Sequence, residues 1–183
     1  MRKMFSGALT VGAVLLLGCV SSPANAWTLD RYTDPAFNVP SVGIYQNSIQ
    51  TDDLAGDYAK LTVACIGGVP SIAILFNQDL GESQVSVSLT WPGQSADKED
   101  YATADNDQGV YIYDGTSNSS PALLGDLLSL IDGSSVDTGS GTILNVVAYP
   151  DGQPPVKVSF NLSGFEDAYG PVGDQCNIPI PAS

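Results

Sequence analysis

The sequence predicts a mainly β protein: an antiparallel β-sandwich, immunoglobulin-like or related, with one packed α-helix and a short C-terminal helical turn. Three observations predict it. Apolar and polar residues alternate with period two in run after run from Tyr58 onward. Gly- and Asp-containing turns separate these runs at intervals of about ten residues, the spacing of sandwich strands. Two cysteines, Cys65 and Cys176, stand near the two ends of the same region.

The first residues form an export signal rather than a fold element. Arg2 and Lys3 supply a positive start, Phe5 to Gly18 an apolar run, and Ala24-Asn25-Ala26 a small-x-small cleavage site before Trp27. The apolar run is shorter than the roughly 20 residues that span a bilayer, and no later stretch approaches that length. Residues 1–26 therefore read as a signal peptide. Leu16-Leu17-Gly18-Cys19 also resembles a bacterial lipobox, in which Cys19 would become a lipidated first residue. The expected location is periplasmic or secreted, with lipoprotein anchoring through Cys19 as the alternative.

Residues 27–57 read as an extended N-terminal arm, broken by Pro35 and Pro40, with one short strand around Val42 to Tyr45. Residues 58–183 read as the sandwich domain. Leu61, Val63 and Cys65 share one strand face, and Gly67-Gly68 turns the chain. Ile72, Ile74 and Phe76 follow, with Ala73 and Leu75 making that strand apolar on both sides and therefore central. Val85, Val87 and Leu89 alternate with Gln84, Ser86 and Ser88. Val110 and Ile112 alternate with Tyr111 and Tyr113. Ile143 to Tyr149 is rich in β-branched residues, and Val156, Val158, Phe160 and Leu162 alternate with polar partners. Between these runs, Ser120 caps and Pro121 opens a helix whose Leu123, Leu127 and Leu130 form one face, closed by Gly133. A shorter helix is expected from Phe165 to Tyr169, limited by Pro171.

With Cys19 removed, two cysteines remain, and an oxidising compartment pairs them. A Cys65–Cys176 bond would close a loop of roughly 110 residues and contribute about 4–5 kcal/mol on a chain-entropy basis.

Composition excludes several chemistries. The chain carries 20 acidic against 6 basic residues, a formal charge of −14, and no histidine. Without the signal, Arg31, Lys60, Lys98 and Lys157 are the only strong cations. Such a surface repels phosphate backbones, so nucleic acid is not an expected partner. The missing histidine removes the Ser-His-Asp triad and the usual zinc and copper sites.

Four polar segments remain as candidates. Asp137-Thr138-Gly139-Ser140 matches the short motif of aspartic peptidases, in which two such carboxylates share a proton. It has no second copy and no preceding apolar strand, so it reads as a chance match in a polar loop. Asp105, Asp107 and Asp114 offer oxygens for a loose calcium site, although Thr116 stands where an EF-hand needs its bidentate Glu. Asp97, Glu99 and Asp100 read as a solvated loop rather than a glycosidase pair. Tyr111, Tyr113 and Trp91, with Tyr45 and Tyr58, offer an aromatic binding surface, unless the arm or the helix covers it.

Leu61-Thr62-Val63-Ala64-Cys65 with Gly67-Gly68, and Val158 to Phe165 with Ala168 and Cys176, resemble small periplasmic β-sandwich proteins of proteobacteria. These include the invasion-associated locus B family and accessory proteins of type VI secretion. The resemblance implies a non-enzymatic exported domain and carries over no catalytic residue. The expected function is an interaction module of the bacterial envelope or surface that presents a sheet face or edge to another protein and needs no cofactor. The alternatives are a calcium-stabilised adhesive domain and a homodimeric peptidase using Asp137.

Overall fold

The computed structural model describes residues 26–34, 38–49, 58–81, 84–90, 97–104, 108–113, 125 and 143–178. The fold is mainly β. Among the described residues nine strands form two antiparallel sheets: β1 Thr28–Asp34, β2 Val39–Asn47, β3 Lys60–Ile66, β4 Val69–Leu75, β5 Gln84–Thr90, β6 Asp97–Ala104, β7 Gly109–Tyr113, β8 Ile143–Tyr149 and β9 Val156–Asn161. The order across them is β1-β2-β3-β4-β7-β6-β5-β8-β9. β6 is the corner. Its first part, to Ala102, pairs with β5, and Thr103 and Ala104 pair with Val110 and Gly109 of β7. One strand thus belongs to both layers.

The alternation read in the sequence is the alternation of burial. Val42 and Ile44, Leu61, Val63 and Cys65, Ile72 and Ile74, and Val110 and Ile112 line the inner face of the first sheet. Val85 and Val87, Leu144, Val146 and Ala148, and Val156, Val158 and Phe160 line the second. β4 lies between β3 and β7, as its two-sided apolar pattern predicts. Gly67 and Gly68 both have positive φ, 59° and 86°, which closes β3 onto β4 in a two-residue turn with Ile66 opposite Val69.

Three readings of the sequence are corrected. The segment expected as an extended arm with one short strand contributes two full strands, β1 and β2, integrated into the first sheet. Asn38, at φ 53°, turns the hairpin, and its N–H donates to the Asp34 carbonyl at 2.8 Å. β1 is exposed at most positions, so it shows no apolar alternation to read. Asp97 to Asp100, expected as a solvated loop, begins strand β6, whose Tyr101 is buried. The short C-terminal helix runs further than expected, as α1 Phe165–Cys176, through Pro171.

An interior proline costs a helix about 3 kcal/mol. α1 offsets that cost by burying Phe165, Tyr169 and Val172, spaced i, i+4, i+7, against β2 and β3. Glu166 and Asp167 in its first turn complement the helix dipole. It ends with Asn177 left-handed at φ 53° and the Ile178 N–H on the Gly173 carbonyl at 2.9 Å. Gly173 is required there, because a Cβ would meet the Ile178 carbonyl oxygen at 2.7 Å. The leucine helix expected from Ser120 to Gly133 lies outside the described residues, apart from Gly125, which is helical and exposed.

Candidate functional site

The two ends of the strand order differ. At one end, β9 is crossed by the chain leaving β2: the Ile49 N–H donates to the Ser159 carbonyl at 2.8 Å. At the other end, β1 pairs with β2 alone among the described strands. In an antiparallel pair only alternate residues turn their N–H and C=O toward the neighbour. About half of the β1 backbone groups therefore point away from β2. The side chains of Thr28, Leu29, Asp30, Arg31 and Thr33 are exposed, Leu29 at 45%.

Register assigns each β1 side chain to a face. Leu29 and Arg31 lie opposite the core residues Ile44 and Val42, so Leu29, Arg31 and Thr33 share the inward face. Thr28, Asp30, Tyr32 and Asp34 share the outward face with Tyr45, Gly43, Ser41 and Val39. Beside β1 lies an open recess of about 420 Å³, lined by Arg31, Tyr32, Thr33, Pro40, Ser41, Val42 and Gln175. Gln175 is the penultimate residue of α1, and Cys176 next to it is bonded to Cys65 of β3 with an S–S distance of 2.06 Å. The expected disulfide is thus formed, across 111 residues of chain, and it fixes the helix end that walls this recess. Trp27, just before β1, packs on Phe165 of α1 with ring centroids 5.1 Å apart.

The outward face of the first sheet carries the tyrosines. Tyr111 is 38% exposed and lies in one cross-strand row with Ala73, Thr62 and Tyr45. Lys60 Nζ sits 4.7 Å above the Tyr45 ring. Tyr58, 55% exposed, stands just before β3, and its carbonyl accepts from Asn77 Nδ2 at 2.6 Å. Sequence reasoning missed Tyr32, since β1 itself carried no signal. Burial pushes the Tyr32 phenol above its ordinary pKa, and the charges of Asp34 and Asp30, then Tyr111, push it further in the same direction.

Of the other candidates, Cys19, Trp91, Asp105, Asp107, Asp114 and Asp137 lie outside the described residues, as does the side chain of Tyr113. Asp100 is exposed on β6 and accepts a hydrogen bond from the Ser86 hydroxyl. Among the described residues no group of three or more Cys, Asp or Glu is placed to hold a metal ion, and no helix is long and apolar enough to cross a membrane. The arrangement at β1 offers backbone donors and acceptors along an edge, flanked by side chains of both charges and a recess. An edge of this kind has the groups that pair with an extended chain. Comparison with protein-family models, with curated proteins and with solved structures found no match to this chain.

Proposed function

We propose that this protein is an exported, non-enzymatic interaction module of the bacterial envelope or surface, and that it engages its partner by strand addition at β1. One observation carries the reading: β1 is an end strand with exposed side chains and no second neighbour among the described strands, beside a recess walled by a covalently fixed helix end. Strand addition draws affinity from main-chain hydrogen bonds and specificity from alternate side chains, and both are on offer here. Export is supported by the positive, apolar and small-residue order of residues 1–26, and the disulfide is compatible with an oxidising compartment. The resemblance of β3 and of the turn into α1 to exported sandwich proteins supports the same reading.

A photo-crosslinking residue at Leu29, in the native host, tests it. The expected outcome is a discrete covalent adduct from Leu29 and none from the same residue at Lys157, on the β9 edge. No adduct from Leu29, or equal adducts from both, would overturn the reading.

A further inference from the structure

We infer that the occupant of the β1 edge is an extended, basic segment of another protein, laid antiparallel to β1 with two cationic side chains four residues apart. The inference rests on the strand-addition reading above and names the partner's chemistry.

Directly opposed residues of an antiparallel pair share a face. A strand added to β1 therefore presents alternate side chains to Asp30 and Asp34 on the outward face, and the intervening ones to Leu29 and Arg31 on the inward face. Asp30 and Asp34 are four residues apart, so their partners are too. Tyr32 lies between them on that face and offers its ring to a cation. The negative field at this edge is visible on Tyr32 itself, whose phenol is pushed up by burial and then by Asp34 and Asp30. The whole chain, at −14, adds long-range attraction for a basic segment.

A second copy of this chain does not fit. Two copies of β1 joined side by side about a two-fold axis normal to the sheet keep their faces, so opposed residues have numbers of the same parity. Three such registers pair five or more of the seven residues of β1. One opposes Asp30 to Asp30, one Arg31 to Arg31, and one Asp30 to Asp34. Each sets like charges against each other, which is unfavourable across strands. Both copies also carry the same net charge. An acidic segment fails for the same reason at Asp30 and Asp34.

The test uses the processed, disulfide-bonded protein and synthetic β-prone peptides, with binding read by fluorescence anisotropy. One peptide carries two lysines four residues apart on one face. The second carries glutamates at those positions. The third is the lysine peptide with alternate backbone nitrogens methylated on its pairing edge. The lysine peptide is expected to bind, more weakly at higher salt, and the other two are not. Asp30→Asn is expected to weaken the lysine peptide by about two- to fivefold, the range for one exposed ion pair. If lysine and glutamate peptides bind equally and methylation abolishes binding of the lysine peptide, strand addition stands and the basic partner is wrong. If the methylated lysine peptide binds as well as its parent, the backbone is not used and the strand-addition reading itself fails. Binding by none of the peptides overturns the inference.

Discussion

The edge strands β1 and β9 terminate the same pair of sheets, yet the chain treats them differently. β9 is guarded. Pro154 and Pro155 precede it, Lys157 is exposed on it, and the segment after β2 lays the Ile49 N–H on its Ser159 carbonyl. Proline, lysine and a covering segment are the ordinary protections of an edge against unwanted pairing. β1 lacks a covering strand among the described residues and carries Asp30, Arg31 and Asp34 instead. Those charges disfavour pairing with its own copy. The contrast teaches that an edge can be protected by being covered or by carrying charges that oppose its own copy.

The largest expected effect concerns the staple that holds α1 beside β1. Replacing both Cys65 and Cys176 by alanine should lower stability by about 4–5 kcal/mol. Urea unfolding of the two proteins measures it. A loss below about 1 kcal/mol would mean that packing alone holds the helix. Next, Ile49→Pro deletes the donor on Ser159 and should cost at least about 1 kcal/mol. It should also uncover the β9 edge and promote concentration-dependent association, seen by light scattering. An unchanged monomer with unchanged stability would show that the bond does not guard the edge.

Third, the phenols of Tyr32 and Tyr169 are both raised, Tyr169 by burial alone. A raised tyrosine favours the folded state while neutral. Above the ordinary value of 10.0 the unfolded chain gives up these protons first. Stability should therefore be held below that pH and lost as pH rises through the raised folded values. Tyr169→Phe should flatten this alkaline loss in thermal melts, and an identical pH profile would remove Tyr169 from it. The smallest stability effect belongs to Leu29→Lys on the exposed edge, within about 0.5 kcal/mol. The same change should weaken capture of the basic peptide by about two- to fivefold, because it adds a like charge at the edge. Unchanged affinity would move the site away from β1.

The contrast between the edges also marks where the sequence is legible. Strands with one face in the core announce themselves, because burial of Leu61, Val63 and Cys65, or of Val156, Val158 and Phe160, imposes period two on the residues. The Gly67-Gly68 turn reads directly from its need for positive φ. β1 is silent because few of its side chains are buried, so it is held as a strand by the ladder to β2 rather than by its own pattern. β6 is obscured for a related reason: its charges read as solvated loop, and its place is set by pairing with β5 and β7. Pro171 stops a helix in any local reading, but the buried Tyr169 and Val172 and the bond at Cys176 carry α1 past it.

Composition and period, acting through burial of apolar faces, determined that this chain is a mainly β sandwich with its two late cysteines in reach of each other. Tertiary structure alone decided which strand ends a sheet without a covering segment among the described residues. That outcome depends on where a segment returns in space, as Ile49 does at β9, and residues 18 places apart on the chain, such as Arg31 and Ile49, hold no local record of it.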